Sequence, residues 1–524
     1  MILTAMFYAC VGEDPGESVD DPGKDGTVTS DSDGDGDSAI DSGVDSGVDS
    51  GVDSEVDSGV DSGVDSGVDS GVDSGVDSGI DSGIDSGSAA DSADSADSAD
   101  SAEPGPEPAY SGDVDVRDVF VAEEGGATAD GRMGSIDNLS LLGDITGDGL
   151  DDTVIGSPFH GPGAAFVLPA SSAWTGDAEA DAVAVVNGES ELGFVPLGMR
   201  DATGDGQPDL LVGDRSAGNV GVAYVFAGPV AGSLAPADAA IAVTGEWATA
   251  EWGEALDAAD LDGDGVDELA VGAAEVDAGL VGIFAGAVGS LSASDGTLFT
   301  GLAAGDDFGA TVVGGDIDGD GYDDLLVGAS GVDDAAADGG AVYGLPGGAA
   351  GLGSATWTFT GPASAAAWFG TNSRGVARPA DLDRSGLPDV ALAAYRYGGV
   401  VVFADPGPGT YAWTDATTEI YEAGIEVGAS LVSGDLDADG NVDLLVGNYT
   451  DNSTASGGGS AWIFLDLPPG ALGRADADAD IYASEADQYL GTAVGCRDGY
   501  FYAVASWRDT TVSRGGVLYE IAPW

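Results

Sequence analysis

Hydrophobic residues follow two different patterns along this chain of 524 residues. From Gly112 onward, short apolar runs alternate with segments rich in Gly and Asp. Runs of that length with such boundaries favour β-strands over helices. From Val11 to Ser111 the chain instead repeats Asp-Ser-Gly-Val and then Asp-Ser-Ala without apolar periodicity. That composition cannot build a core, so it predicts a disordered linker over 11–111.

Six segments of the C-terminal part share one pattern, an acidic loop followed by an apolar run. They begin at Asp144, Asp201, Asp260, Asp316, Asp381 and Asp435. A seventh copy, from Leu490-Gly491 to the C-terminus, has lost the acidic loop. Each unit has room for four short strands, which is the composition of a propeller blade. The predicted fold is all-β: a seven-bladed β-propeller over 112–524, closed by an N-terminal strand at 114–122.

The acidic loops begin like the calcium loop of an EF-hand, but they end differently. An EF-hand needs a bidentate Glu at position 12 and a helix after it. Position 12 is aliphatic in all six copies and lies inside a predicted strand: Ile155, Val212, Val271, Val327, Leu392 and Val446. The pattern therefore predicts a loop between two strands.

In a loop of the form DxDxDGxxD, the side chains at positions 1, 3, 5 and 9 converge with the backbone carbonyl of position 7. All these donors are oxygen atoms, which suits Ca²⁺ and does not suit zinc or copper. Up to six calcium sites are predicted. The predicted ligands are Asp144, Thr146, Asp148, Leu150, Asp152; Asp201, Thr203, Asp205, Gln207, Asp209; Asp260, Asp262, Asp264, Val266, Glu268; Asp316, Asp318, Asp320, Tyr322, Asp324; Asp381, Asp383, Ser385, Leu387, Asp389; and Asp435, Asp437, Asp439, Asn441, Asp443.

The six predicted sites differ in charge. The loops at Asp260, Asp316 and Asp435 have four carboxylates each. Threonine replaces the carboxylate at position 3 in the loops at Asp144 and Asp201. The loop at Asp381 has Ser385 at position 5 and Arg384 at position 4. A cation beside the site and one carboxylate fewer predict that the Asp381 loop is the weakest.

The repeated units resemble FG-GAP repeats, which form the N-terminal β-propeller of integrin α subunits. The strongest copy, DFGATVVGGDIDGDGYDDLLVGAS, begins at Asp307. The resemblance implies a calcium-stabilised propeller used for extracellular binding or adhesion. It also implies that the face opposite the loops binds ligand. Seven aromatic residues are candidates for that face: Trp247, Trp252, Trp368, Tyr395, Tyr397, Tyr449 and Trp507.

Charge and composition exclude several functions. The formal net charge of −81 opposes binding to nucleic acid or to an anionic membrane surface. The repeat domain has one histidine, His160, and no lysine, so we expect a binding protein and not an enzyme. An extracellular enzyme acting on polysaccharide and a purely structural surface domain are the alternatives. Four arginines of the fifth unit form either a patch for an acidic partner or pairs with nearby carboxylates: Arg374, Arg378, Arg384 and Arg396.

The first ten residues, MILTAMFYAC, resemble a bacterial lipoprotein signal, in which Cys10 would carry the lipid. The predicted organisation is a signal over 1–10, the linker as a stalk, and the propeller. We expect a monomer at the cell surface or secreted, attached to a membrane only through a lipid. Its partner would be a protein or a glycan whose identity the sequence does not reveal. Cys496 and His160 are expected to be a small buried residue and a surface residue.

Overall fold

We describe a computed structural model of the protein. It describes residues 112–115, 120–125, 139–141, 143–169, 174, 177–286, 288–371, 375–465, 467–497, 500–505 and 516–521. Chain contacts divide the protein into Met1–Asp97 and Ser98–Trp524. The predictions for Cys10, the signal and the linker over 11–111 lie outside the described residues.

The described part of the second unit is almost entirely β-structure. Its strands are β1 (Gly112–Asp115), β2 (Phe120–Gly125), β3 (Leu139–Leu141), β4 (Thr153–Ser157), β5 (Ala164–Leu168), β6 (Ala184–Asn187), β7 (Leu192–Arg200), β8 (Asp209–Asp214), β9 (Val222–Phe226), β10 (Gly232–Leu234), β11 (Ile241–Thr244), β12 (Ala255–Ala259), β13 (Glu268–Ala273), β14 (Leu280–Phe284), β15 (Gly289–Ser292), β16 (Thr297–Thr300), β17 (Phe308–Gly315), β18 (Asp324–Ala329), β19 (Ala341–Leu345), β20 (Trp357–Thr360), β21 (Val390–Ala394), β22 (Gly399–Phe403), β23 (Gly409–Ala412), β24 (Thr418–Tyr421), β25 (Ser430–Gly434), β26 (Asp443–Asn448), β27 (Ser460–Phe464), β28 (Gly470–Leu472), β29 (Ala479–Tyr482), β30 (Leu490–Arg497), β31 (Tyr500–Ala505) and β32 (Val517–Ile521).

Helical structure in the described residues is limited to single turns. One α-helical turn, α1, covers Ala178–Asp181. Five short 3₁₀ turns cover Ala217–Asn219, Pro236–Asp238, Ala293–Asp295, Trp413–Asp415 and Arg474–Asp476.

These strands form seven sheets of four or five strands. In chain order the sheets are β3-β4-β5-β6-β10, β7-β8-β9-β11-β15, β12-β13-β14-β16, β17-β18-β19-β20-β23, β21-β22-β24-β28, β25-β26-β27-β29-β1 and β30-β31-β32-β2. Strands that follow one another within a repeat pair antiparallel, as in β12 with β13 and β13 with β14. Antiparallel pairing of this kind needs only short hairpin connections.

The second strand of each repeat is buried from end to end. Every residue of β8, β13, β18 and β26 is buried. A strand with both faces buried lies in a sheet that is covered on both sides. This burial explains why the second strands are continuous apolar runs and do not alternate apolar with polar residues.

The hydrophobic cores lie between neighbouring sheets. Val154 of β4 packs in one cluster with Leu210 of β8, and Leu326 of β18 packs in another with Leu392 of β21. A further cluster joins Phe166 of the first sheet to Leu518 of the last. The succession of clusters therefore returns to its starting point, which is the arrangement of a β-propeller.

Glycine residues allow neighbouring sheets to approach closely. A Cβ atom at Gly328 in β18 would overlap the carbonyl oxygen of Gly370 in the next repeat. Gly370 itself has a φ of 71°, a left-handed conformation that favours glycine. This contact joins the Gly of the Phe-Gly pair to the Gly that ends the apolar run of the preceding repeat.

The prediction of an all-β propeller is confirmed, but the predictions of seven blades and of one closing strand need correction. Six sheets are blades that carry an acidic loop, and only these six match the predicted repeat in full. The remaining sheet, β30-β31-β32-β2, has no such loop. The predicted closing strand at 114–122 is divided, because β1 pairs with β29 whereas β2 pairs with β32. One segment thus contributes to two sheets.

Candidate metal centres and the opposite face

Each acidic loop is folded around the carboxylate at position 1. In all six loops this side chain accepts hydrogen bonds from the backbone N–H groups of positions 5 and 6. In the loop at Asp316, the distances from Asp320 N and Gly321 N to the Asp316 oxygens are 3.2 and 2.9 Å. The same pair of bonds recurs at Asp144, Asp201, Asp260, Asp381 and Asp435.

Positions 4 and 6 of every loop adopt left-handed backbone conformations. Position 6 is always Gly, as the sequence analysis noted, with φ between 82° and 91°. Position 4 has the same requirement, which the sequence analysis did not recognise. Glycine occupies it in four loops, but Arg384 and Ala438 occupy it in the other two, with φ of 62° and 61°. The recurrent Gly-Asp-Gly of the first four loops was the available signal.

The side chain at position 9 is buried at the base of each loop. In five loops it accepts a hydrogen bond from the N–H of position 2, at 2.8 Å in the pair Leu436–Asp443. Burial raises the pKa of Asp443 to about 8 and that of Glu268 to about 7. Burial also raises the pKa of Asp152, Asp324 and Asp389 to about 6, and raises that of Asp209.

Carboxylates converge in four of the loops. In each, three side chains offer oxygen atoms that all lie within 4.8 Å of one another. The groups are Asp260, Asp262 and Glu268; Asp316, Asp318 and Asp320; Asp381, Asp383 and Asp389; and Asp435, Asp437 and Asp443. Like charges this close repel unless a cation compensates them.

The chemistry of these groups fits a calcium ion. Carboxylate oxygens are its preferred ligands. In the loop at Asp435, the Oδ1 atom of Asp443 is buried and has no hydrogen-bond partner among the described residues. An unpaired buried carboxylate oxygen is costly, and a divalent cation within the loop would satisfy it.

The observed groups are smaller than the predicted ligand sets. Position 9 belongs to three of the four groups, whereas position 5 belongs only to that of the Asp316 loop, through Asp320. In the two loops with threonine at position 3, the hydroxyl groups of Thr146 and Thr203 instead lie 3.3 and 3.2 Å from the carboxylates of Asp152 and Asp209. The five-oxygen sets with position 7 therefore stay predictions, as does the number of occupied sites.

The loop at Asp381 differs from its prediction in the position of its cation. The guanidinium of Arg384 lies 3.4 Å from Asp439 of the next loop. Burial raises the pKa of Asp439, but the hydrogen bonds from Asn441 and then the Arg384 charge outweigh it, so the pKa is lowered. Ser385, at position 5, donates a hydrogen bond of 2.7 Å to Asp405 in the connection after β22. Arg384 thus acts on the sixth loop.

Position 8 joins neighbouring loops, a role that the sequence analysis missed. Asp267 accepts a hydrogen bond of 2.7 Å from the N–H of Asp201 in the preceding loop. Asp323 accepts one of 3.2 Å from Asp260 in the same way. The Arg200 guanidinium lies 3.3 and 3.2 Å from these two side chains, so one cation links three blades. The adjacent acidic pairs Asp-Glu and Asp-Asp at positions 8 and 9 were the signal.

The face opposite the loops holds only some of the predicted aromatic residues together. Trp252 is fully buried in an inter-sheet core, with Trp247 packed against the same core, and Tyr397 makes an edge-to-face contact with Trp413. Trp507 lies outside the described residues. The predicted residues that do come together are Trp368, Tyr395 and Tyr449, and Tyr489, which was not predicted, packs with them. We call these four residues the aromatic cluster.

Charged groups accompany the aromatic cluster. The Arg396 guanidinium carbon lies 4.2 Å from the centre of the Trp368 ring and 5.5 Å from that of Tyr395, within the range of cation–π attraction. Tyr449 donates a hydrogen bond of 3.2 Å to Glu426. Burial raises the pKa of Glu426, although Arg396 opposes this shift.

A second charged group on this face surrounds Arg215. Its guanidinium lies 3.1 Å from Glu191, 3.2 Å from Glu251 and 3.6 Å from Glu254, and 3.7 Å from the centre of the Phe194 ring. These residues were not predicted from the sequence. They come from two repeats, and Glu191 and Glu251 each directly precede the hydrophobic-Gly pair of their repeat, Leu192-Gly193 and Trp252-Gly253.

Three further predicted residues can be placed. The backbone N–H of His160 donates to Ser157 in the loop after β4, and its ring lies 5.6 Å from Phe166. Cys496 is half-buried in β30, and its thiol donates to Ser433 O at 3.4 Å. Arg378 pairs with Asp257 at 3.1 Å, so the described arginines of the fifth unit contact separate neighbours and do not form one patch. Arg374 lies outside the described residues.

Fold and loops together define a β-propeller whose repeated acidic loops form candidate cation sites. Family models match the same segments: the FG-GAP-like repeat at residues 201–271 and 381–446, and the FG-GAP repeat at 308–345. The chain is an FG-GAP repeat protein.

Solved propeller structures are similar to the chain at low sequence identity. The Dos1 propeller is 13% identical, with 74% of this chain and 78% of that chain covered and a TM-score of 0.39. The BP39L lectin from Burkholderia pseudomallei is 15% identical, with 74% and 96% covered and a TM-score of 0.41. The WD40 domain of Toxoplasma gondii coronin is 11% identical, with 79% and 88% covered and a TM-score of 0.40.

Among the described residues, no helix has the length and apolar character required to cross a membrane.

Proposed function

We propose that the protein is a non-enzymatic calcium-binding propeller that binds a protein or glycan ligand at the cell surface, in adhesion or a related contact. The observation that carries the proposal is the convergence of three carboxylates within 4.8 Å in four separate loops. Among the described residues, the arginines of the loop end, Arg200 and Arg384, pair with Asp267, Asp323 and Asp439, which are not members of these groups. A cation from solution would therefore neutralise the converging carboxylates in each of the four loops.

Calcium would be held by the carboxylates at positions 1, 3 and 9, with position 5 where its side chain reaches the group. Bound calcium supplies positive charge that offsets the repulsion among these side chains. The chain itself contributes the preformed geometry. The backbone bonds to position 1 and the buried position 9 hold the oxygens in place without the ion.

The aromatic cluster is our candidate for the ligand site. It combines apolar ring surfaces with the Arg396 guanidinium and the Glu426 carboxylate on the face opposite the loops. Rings beside a few polar groups are typical of binding sites for proteins and for sugars.

The remaining parts of the proposal concern the whole chain. The acidic segment 11–111 would be a flexible stalk, and a lipid on Cys10 would hold it at the membrane. We expect a monomer that binds no nucleic acid.

Calcium titration of the full chain by isothermal calorimetry tests the proposal. We expect saturable binding at several sites and a loss of heat for Asp320→Ala. Ser385→Ala, at the same loop position in the fifth repeat, is the matched control and should change the titration less. Absence of calcium binding by the folded protein would refute the metal assignment.

A separate experiment tests the ligand site. Glycan and protein arrays are probed with calcium-loaded protein and with Arg396→Ala, which leaves the loops intact. A ligand retained by the wild type and lost by the variant supports the aromatic cluster. Equal retention by both proteins would place ligand binding elsewhere.

A further inference from the structure

The outer edge of most blades is covered by a strand from the next repeat. The parallel pairs are β10 on β6, β15 on β11, β23 on β20 and β28 on β24. Each covering strand begins with a glycine whose N–H donates to the carbonyl just before the outer strand. The four distances are 2.8 Å for Gly232 to Val183, 2.9 Å for Gly289 to Ala240, 3.0 Å for Gly409 to Thr356 and 2.9 Å for Gly470 to Thr417.

The covering strands share a short sequence pattern. They read Gly-Ser-Leu, Gly-Ser-Leu-Ser, Gly-Thr-Tyr-Ala and Gly-Ala-Leu. A 3₁₀ turn follows each strand, and its third residue is Asp: Asp238, Asp295, Asp415 and Asp476. These carboxylates accept hydrogen bonds from the N–H three residues earlier, at 2.8 to 2.9 Å.

The outer edge of β16 lacks this cover. The connection that should supply it, residues 346–356, is described throughout and contains no strand. It folds back on itself, with hydrogen bonds of 2.7 Å from Gly351 to Gly348 and from Gly353 to Pro346. Its sequence, PGGAAGLGSAT, is rich in glycine and lacks the Asp that completes the turn elsewhere.

A cavity of about 500 Å³ lies beside the uncovered strand. Apolar parts of its lining come from Val288, Leu291, Phe299 and Leu352. Val288 is 75% exposed, and Leu298 and Leu302 on or just beyond β16 are 37% and 87% exposed. An unpaired strand edge bordered by exposed apolar side chains is a site for strand addition.

The charges around the cavity restrict what can fill it. Its charged lining residues are Asp262, Glu268 and Asp295, and none of its described lining residues is basic. The net charge of −81 favours a cationic partner even when calcium occupies the adjacent loop. A second copy of this chain has the same acidic edge and is repelled by it.

We propose that the outer edge of β16 binds an extended segment of a partner protein, which adds as a parallel fifth strand of the third blade. The segment has a Gly-small-apolar core, as in the four covering strands, and lysine or arginine on its flanks. The apolar residue would enter the cavity near Phe299 and Leu352. This inference does not depend on the ligand site of the opposite face.

A labelled peptide, KKVGSLSAKK, tests the proposal by fluorescence anisotropy with the full chain in calcium. Its core copies residues 288–293. We expect saturable binding. Binding should weaken by about tenfold or more when Pro replaces both Ser residues, since proline removes strand N–H donors, and when Glu replaces the flanking Lys.

Two protein variants locate the binding. In the first, residues 346–356 are replaced by the sequence of 285–296, which forms β15 and its turn, so the protein fills its own edge. In the second, Val288→Lys places a cation in the cavity. Val183→Lys is the matched control, because Val183 is 38% exposed beside β6, an edge that is already covered.

The expected result is binding reduced about tenfold or more in the first two variants and unchanged in Val183→Lys. Melting curves check that each variant is folded, and Val288→Lys decides alone if the graft does not fold. The proposal is overturned if the peptide shows no saturable binding. It is also overturned if Val288→Lys or the folded graft binds the peptide like the wild type. Concentration-dependent dimerisation through the β16 edge, measured by sedimentation, would overturn it as well.

Discussion

The two ends of the blades follow opposite rules. At the loop end, six repeats place a carboxylate at position 1 and hold it with the same two backbone N–H groups. At the other end, the Arg215 group and the aromatic cluster occur at different junctions and share no pattern. Features that every blade repeats serve the fold, whereas features at one junction are available for a specific partner.

The electrostatics of the two ends differ in the same way. Carboxylates of the loop end gather within 4.8 Å of each other in four loops. On the other face, Glu191 and Glu251 share the buried guanidinium of Arg215, and Glu426 lies near Arg396. On our proposal, calcium therefore compensates the converging carboxylates of the loop end, whereas arginines compensate the carboxylates of the other end.

The largest expected effect tests this need for calcium. Each site adds about 2.7 kcal/mol when calcium exceeds the dissociation constant a hundredfold, so chelation should lower the melting temperature strongly. Asp443→Asn keeps an acceptor for Leu436 N–H but removes the buried charge. In differential scanning calorimetry it should destabilise the protein in calcium and stabilise it in chelator.

Asp334→Asn, which replaces an exposed residue of the other face, is the control. It should change neither the melting curve in calcium nor the one in chelator appreciably. If Asp443→Asn shifted the melting temperature in the same direction in both buffers, the buried carboxylate would not be a calcium ligand.

The next effect tests whether the loops act as a connected end. Arg200→Ala leaves Asp267 and Asp323 without the cation that lies 3.3 and 3.2 Å from them. Hydrogen bonds to charged groups contribute about 1.5–3 kcal/mol, so we expect a loss of that order in urea unfolding with calcium present. Arg200→Lys should recover part of the lost unfolding free energy. An unchanged unfolding midpoint for Arg200→Ala would show that the loops are independent.

A smaller effect concerns a carboxylate of the other face that calcium does not compensate. Burial, followed by repulsion from Glu275, raises the pKa of Asp307 to about 6. An ordinary Asp ionises near pH 4 when unfolded. The stability from this group is therefore complete below about pH 4 and is lost as pH rises through about 6.

Asp307→Asn should abolish that loss, which we expect to be roughly 1–2 kcal/mol because the side chain is only partly buried. The measurement is the difference in unfolding free energy between wild type and variant across this range, in saturating calcium. Parallel pH profiles for the two proteins would show that Asp307 ionises normally.

The smallest effect tests the common backbone of the loop end. Ala438 occupies position 4 with a φ of 61°, where four other loops have glycine. Ala438→Gly should stabilise the protein by about 1 kcal/mol, because it removes left-handed strain. Ala412→Gly, at an extended exposed residue with a φ of −88°, should destabilise it by about 0.5–1 kcal/mol. Thermal melts in which both variants shift the same way would contradict this account of the loops.

Much of the loop end could be predicted from the sequence. Ligand types at positions 1, 3, 5 and 9 are local, and their spacing within nine residues determines how closely they approach. The position 8 contacts could not be predicted in that way, because Asp267 meets Asp201 across 66 residues. The same limit applied to the predicted aromatic face: Trp252 belongs to a core, whereas Tyr449 packs against Tyr489 across a blade junction.

The sequence alone determined the class of fold and the chemistry of the loops. Repeated short apolar runs with a periodic acidic loop specify strands, blades and oxygen ligands, because each depends on residues that are close in the chain. Only the tertiary structure decided which blade edge stays uncovered, where Arg200 and Arg384 place their charges, and how one N-terminal segment divides between two sheets. These outcomes depend on contacts between repeats, and a local pattern contains no information about which distant residue will lie beside it.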